Sequence, residues 1–402
     1  MDVSAEQLLV IVLIAARRVS ATVAWLHPLQ GERVVSHQAV DCAWHELSER
    51  GRRQVVAETV DLASRAAGVE PYSAFIAMSD ASIASQLATG YADLGEDLVL
   101  SAAERDQALH RAQHQATDHD REIIHALPVH WSVRGRGGEK EVDDPVGERG
   151  SRLTGHVLLV TARQGYREEL ASYLDTCTLH LDQVIAPPLA LWHGMAGKLR
   201  KSGSSVIIDC GARHTGIIVS RKGRMLHLQT HPFGGDHLTE TIAEHLSVGT
   251  DQAEELKREV DCSVHLHAHE ADGQQYLWRE VQERHRLLGP AAKVCSERLR
   301  GFFGERAREL RDREFLGATG QVHLVGRAST LGGLPALVRE AFGLPVVLGT
   351  GARDREPSAE LTDLMVSGVV RLAAEARRSD LSRSPITGRI SRAWRWFTRP
   401  LE

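Results

Sequence analysis

Hydrophobic positions in this chain come first as short β-branched runs and then as helical stretches, and that succession lays out an architecture. The run Leu9–Ile14 predicts a strand, followed by Ala21–Leu26 and Glu32–Gln38, with Gly31 at a turn. A helical stretch from Gly51 to Ala67 completes a β-β-β-α start. The same order returns later: Ser205–Cys210, Thr215–Ser220 and Met225–Thr230 predict three strands, and Asp236–Leu246 a helix. A unit that appears once in each half is an internal repeat, and it predicts two related halves.

Between the halves the pattern changes. A helix rich in Ala, Gln and His is expected over Ala102–Thr117, then a strand over Ile123–Val133, a glycine turn at Gly135–Gly138 and a last strand over Gly155–Thr161. This reads as a small α+β domain inserted at 82–161. The first half then comprises 1–81 and 162–200, and the second 201–375. From Ala376 the chain becomes rich in Arg and Ser and poor in acids, so 376–388 is expected to be a flexible linker ahead of a terminal helix at 389–402.

The apolar run Leu8–Ala16 could be mistaken for a signal peptide. No basic residue precedes it, Arg17 and Arg18 follow it, and no small-residue cleavage site comes after. It has about half the length a bilayer span needs, and a buried strand is expected instead.

Composition adds limits. The chain has 402 residues, 42% of them hydrophobic and 25% charged, as in ordinary globular proteins of two to four domains. A net charge of −5 supplies no global attraction to nucleic acid, so no nucleic-acid partner is expected, and membrane binding would need a local patch. The five cysteines, Cys42, Cys177, Cys210, Cys262 and Cys295, have no CxxC spacing, which argues against a disulfide framework or zinc knuckle and for a reducing compartment.

Five segments in order carry a resemblance. Arg121-Glu122-Ile123-Ile124-His125-Ala126-Leu127-Pro128 is similar to R-E-I-L-H-x-I-P, and Asp144-Pro145-Val146-Gly147 through Gly155 to D-P-V-G-M-x-G-x-R-L-x-x. Asp209-Cys210-Gly211-Ala212-Arg213-His214-Thr215 follows D-I-G-G-G-T-T-D at Asp209, Gly211 and Thr215. Pro232–Thr239 is similar to P-x-G-G-N-H-V-T, and Ala253–Lys257 to A-E-x-L-K. Together they resemble the FtsA family of bacterial cell-division proteins. The resemblance implies an α/β fold of the actin-like, ribonuclease H-like type: two halves of an ATPase fold, the inserted domain, and a C-terminal amphipathic helix.

It also implies roles. Asp209, Gly211, Thr215, Gly234, Gly235, Glu254, Lys257 and Gly326 stand at the family's positions for ATP with magnesium, Gly326 opening Gly326-Arg327-Ala328-Ser329 where the family has G-G-G-S. Backbone amides at such turns face phosphates, so close approach needs glycine. The pattern is eroded here. Ile14 stands where the first hairpin should present an aspartate, Ala16 at its glycine, and Arg17 and Arg18 at two hydroxyl positions. Ala212 and Arg213 replace glycines, and Gly216 replaces the closing acid. These arginines, with Arg327, are expected to crowd an ordinarily placed nucleotide, so nucleotide binding is expected to be weakened or lost. No catalytic residues and no metal ligands are assigned.

On a helical wheel of the tail Ile390, Ala393, Trp394, Phe397 and Leu401 share one face, Arg392, Arg395 and Arg399 the opposite one, and Trp396 lies near the boundary. Such a helix suits an anionic membrane interface. The resemblance then implies a scaffold at the division site on the cytoplasmic face of the membrane. It would anchor the FtsZ ring through a second-half subdomain at about 238–305, self-associate into filaments, and recruit later division proteins. The alternatives are a PilM-like adaptor of type IV pili and an actin-fold ATPase or kinase. Two further patterns carry less. His265, His267 and His269 alternate on a possible strand without a second ligand pair, and Gly332-Gly333 and Gly349-Thr350-Gly351 lack the Lys-Ser/Thr of a P-loop.

Overall fold

The computed structural model describes residues 8–27, 31–115, 120–199, 203–263, 279–317, 320–349 and 357–381. They form two compact units: Met1–Arg200 with Gly223–Thr230 and Asp363–Glu402, and Lys201–Lys222 with His231–Thr362. The histidine alternation at 265–269, Thr350–Gly351 and the tail helix at 389–402 lie outside the described residues.

The first unit is built on a five-stranded sheet of order β3-β2-β1-β4-β9. Its strands are β1 (Leu8–Ala15), β2 (Arg18–His27), β3 (Gly31–Asp41), β4 (Ser73–Met78) and β9 (His180–Ile185). β1 pairs antiparallel with β2 and parallel with β4, and Leu9–Val12 and Ile14 are buried. The apolar run is therefore a central strand, covered on both faces. Helix α1 (Glu49–Ala67) packs on β2 and β3. Ser48 caps its start through the Gly51 N–H, and Gly68, in the left-handed region, ends it.

The inserted domain is a sheet of β5 (Ala84–Val99), β6 (Arg121–Gly135), β7 (Gly138–Val142) and β8 (Arg149–Arg163), order β5-β8-β6-β7, covered by α2 (Ala102–Gln115). The sequence predicted its helix and two strands, not β5 and β7. β5 turns Ala88, Gly90 and Ala92 toward α2, and a Cβ on Gly90 would lie 1.9 Å from the Ala108 carbonyl oxygen. The strand is hidden from a hydrophobicity reading because the helix lies so close that only small residues fit. β7 is Gly-Glu-Lys-Glu-Val, an edge strand held by its ladder to β6. In the Asp144-Pro145-Val146-Gly147 segment Asp144 Oδ1 accepts from the Val146 N–H at 3.0 Å, and Gly147 N donates to the Leu100 carbonyl at 2.9 Å. That segment is a turn pinned to the end of β5.

Helices α3 (Tyr166–Asp175), α4 (Pro187–Gly194) and α5 (Ala196–Leu199) follow. Two later segments join this unit: β12 (Arg224–His231), beside β5, and most of α10 (Pro357–Leu381). Gly194 and Gly368 let α4 and α10 touch backbone to backbone, since added Cβ atoms would fall 2.1 Å from the Leu364 carbonyl oxygen and 1.8 Å from that of Ala190. This corrects two expectations. Residues 223–230 and 363–375, assigned to the second half, pack with the first unit, and 376–381, expected as linker, continue α10. Arg377 holds that last stretch by bonds to Asp182 at 2.7 Å and Ser73 at 3.1 Å.

The second unit repeats the first two strands of the pattern in β10 (Ser204–Cys210) and β11 (Thr215–Arg221), with β13 (Gln321–Val325) and β14 (Val346–Leu348) beside them, order β14-β13-β10-β11. Helices α6 (Gly235–Leu246), α7 (Thr250–Glu259), α8 (Arg279–Asp312) and α9 (Leu334–Phe342) share a core with the sheet through Ile208, Leu238, Leu256, Leu299, Phe303 and Leu337.

Candidate functional site

Each unit carries one hairpin turn that the sequence singled out. In the first, Ile14 is fully buried among its neighbours, and Ala15 faces Arg18 across the turn. The turn carbonyls are engaged: Ala16 O accepts from Trp44 N at 3.0 Å and Arg17 O from Cys42 N at 3.1 Å. Arg18 Nε donates to Asp41 Oδ1 at 2.6 Å.

In the second unit the turn runs from Asp209 to Thr215. Asp209 lies one residue before the end of β10, with its Oδ1 shielded from solvent and without a hydrogen-bond partner among the described residues. Burial pushes its carboxyl up to about 6. Gly326, at φ +93°, closes over it: a Cβ there would lie 2.4 Å from the Cys210 carbonyl oxygen and 2.6 Å from Asp209 Oδ1. Gly211 N donates to the His214 carbonyl at 2.9 Å. Gly235 N and Asp236 N, at the start of α6, donate to the carbonyls of Gly211 at 3.0 Å and Ala212 at 2.7 Å. Gly234 lies so close to this turn that a Cβ would meet the Ala212 oxygen at 2.4 Å. Thr215 Oγ1 donates to the Phe233 carbonyl at 2.7 Å.

Glu254 and Lys257, both on α7, come to the same place. Lys257 Nζ donates to Glu254 Oε2 at 2.5 Å, to Thr239 Oγ1 at 2.8 Å and to the Gly235 carbonyl at 3.1 Å. These use all three donors of an ammonium. Burial pushes the Glu254 carboxyl up, but hydrogen bonds from Lys257 and Thr239 outweigh it and hold it below its usual range. Thr239 was not singled out from the sequence. Its place within Pro232–Thr239, one turn after Gly235, was the available signal. Arg213 is one of the side chains expected to crowd a nucleotide. It leans onto α6, 3.9 Å from Asp236 and 3.6 Å from Glu240. Arg327, also expected to crowd a nucleotide, is exposed.

The structure thus brings Asp209, Gly211, Thr215, Gly234, Gly235, Glu254, Lys257 and Gly326 into one connected region of the second unit. Among the described residues no group of three or more His, Cys, Asp or Glu side chains is placed to hold a metal ion, and no helix is long and apolar enough to cross a membrane.

Comparison with known proteins extends this picture. A family model described as "Cell division protein FtsA" matches residues 206–368, and one described as "SHS2 domain inserted in FTSA" matches 81–161. Cell division protein FtsA of Pseudomonas aeruginosa is 28% identical over 301 residues, 74% of this chain and 70% of the relative. Its counterpart from Agrobacterium fabrum is 28% identical over 302 residues, 73% of this chain and 67% of the relative. Among solved structures, a chain of a PilM-PilN type IV pilus biogenesis complex superposes with a TM-score of 0.58 at 16% identity, covering 90% of this chain and 98% of that one. That last likeness is one of fold.

Proposed function

The chain belongs to the FtsA family of cell-division proteins, with an actin-like fold and an inserted SHS2 domain, and from that premise we propose that it is a peripheral membrane scaffold at the division site. In this reading it ties the FtsZ ring to the cytoplasmic face of the membrane, self-associates, and recruits later division proteins. The observation that carries the reading is the joint match of the second half and the inserted domain to two models of one family. The tail pattern supplies the anchor: six arginines from Arg378 onward are accompanied only by the acids Asp380 and Glu402, beside the apolar face predicted for Trp394 and Phe397.

We further propose that nucleotide binding is weakened or lost. The residues fit a magnesium-bound phosphate tail poorly. Ile14 offers no carboxylate, the amides of Gly211, Gly235 and Asp236 already bond to carbonyls, and Lys257 is fully engaged. A titration with Mg-ATP should give little heat. Tight binding, lost in Asp209→Ala, would overturn this part.

The anchor is tested by removing residues 389–402. The shortened protein should stay folded and fail to sediment with anionic liposomes, whereas added salt alone should weaken binding of the full chain only in part. Capture by the FtsZ tail separates this reading from a PilM-like adaptor, which should show none.

A further inference from the structure

The Arg121–His125 segment resembles a family motif, yet its polar side chains take no part in the region around Asp209. They lie where the inserted domain meets the body of the first unit. The chain enters that domain at Asp80–Ser82 and leaves it at Arg163–Gly165. The two crossings are buttoned together: Ser82 N donates to Asp80 Oδ1 at 2.8 Å, Arg163 N to Ser82 Oγ at 3.0 Å, and the Arg163 guanidinium pairs with Asp80 and Glu169.

The segment adds a third attachment, at the start of β6. Arg121 donates to Thr161 Oγ1 at 2.8 Å and to the Ser82 carbonyl. Glu122 Oε1 accepts from the Arg167 N–H at 2.6 Å, an otherwise unpaired donor type in the first turn of α3. His125 Nε2 accepts from the Ala186 N–H at 3.1 Å. Ala186 is the N-cap of α4, and Pro187 and Pro188 after it have no N–H, so this bond meets a donor the helix cannot use itself. The Ala186 N–H only donates, so Nε2 is the accepting nitrogen and the proton of the neutral ring sits on Nδ1.

The backbone aims these groups. Ile123 pairs with Thr161 and His125 with Val160, leaving Ile124 as an extra residue, a β-bulge. Ile124 and His125 are both buried, at 4% and 3% exposure.

We propose that Arg121, Glu122 and His125 form a latch that fixes the angle of the inserted domain on its body: Arg121 ties the start of β6 to the crossings, while Glu122 and His125 grip the N-termini of α3 and α4. Without it, the two crossings and the contacts of β12 with Ser85 and Asp143 hold that domain. The consequence for assembly rests on the proposed self-association running through the inserted domain; the latch itself does not.

Amide hydrogen exchange on the full chain tests it. Glu122→Ala should speed exchange at Arg167 by about tenfold, the loss of one charge-assisted bond, and also at the crossings around Ser82 and Gly165. Glu122→Gln, which keeps an acceptor, should restore slow exchange. His125→Ala should do the same as Glu122→Ala at Ala186. If it fails to fold, the Glu122 pair still decides. Self-association should fall in the alanine variants. Faster exchange at Arg167 and the crossings supports the latch whatever self-association does, and unchanged self-association then counts against the assembly reading alone. Exchange confined to the mutated bond, with the crossings unaltered, overturns the latch.

Discussion

The two hairpin turns, Ile14–Arg18 and Asp209–Thr215, occupy equivalent places in a repeated β-β-β-α pattern and have diverged in kind. The first is stitched to the chain after β3, its carbonyls engaged by Cys42 and Trp44 and its arginine by Asp41. An isoleucine fills the core where a carboxylate could stand. The second keeps an aspartate with an unpartnered, shielded oxygen, under glycines that admit backbone within van der Waals distance. One turn has become packing. The other still has the crowded backbone of a binding loop, at a cost in buried charge. The repeat thus fixes the strands and the helix, while the turn residues set the chemistry independently.

The largest effect that could separate the turns is Gly326→Ala. A Cβ at φ +93° would strike the Cys210 and Asp209 oxygens, so a loss of about 3 kcal/mol is expected in denaturant unfolding. Ala16→Gly in the first turn should change stability by less than about 1 kcal/mol. A small loss from Gly326→Ala would mean that the second turn is as slack as the first is plain.

Acid should then act unevenly on the two units. Burial, reinforced by Arg167 and His193, holds His125 down to about 3, and burial beside Arg371 does the same for His193. In the second unit burial beside Arg306 lowers His231 to about 4. Each folded value lies below the unfolded one near 6.5. Stability is therefore lost as pH falls through 6.5, by about 2 kcal/mol per buried histidine at pH 5. Asp209 runs the other way. Its folded value near 6 exceeds the unfolded 3.8, so protonation between those values returns stability to the second unit. Exchange measured at pH 7 and pH 5 should show the first unit loosening more.

Asp209→Asn sharpens the same contrast. Removing a shielded, unpartnered charge should raise stability at pH 7, by about 2 kcal/mol. A fall would show that the carboxylate has a partner that the turn needs. The smallest effect is expected from Arg18→Ala, whose exposed pair with Asp41 is worth about 0.5 kcal/mol or less.

Much of this was legible in the order of residues. Strands such as Leu8–Ala15 and Ser204–Cys210 are β-branched runs that cannot be satisfied on a surface. The glycines and acid of the second turn declared a tight, polar place. β5 could not be read, because its buried face is alanine and glycine, chosen by the approach of α2 and not by hydrophobicity.

The sequence by itself determined the local periods and the repeat, because each follows from side chains within a few residues of one another. Only the tertiary structure decided which way Arg213 turns, that Lys257 is fully engaged by Glu254, Thr239 and Gly235, and that Asp363–Leu381 packs with the first unit. Those outcomes depend on partners distant along the chain, and a long cationic side chain goes to whichever acceptor the fold places within reach. The bulge at Ile124 is the plainest case. One extra residue, visible only against β8, turns His125 from an ordinary strand position into a cap on α4.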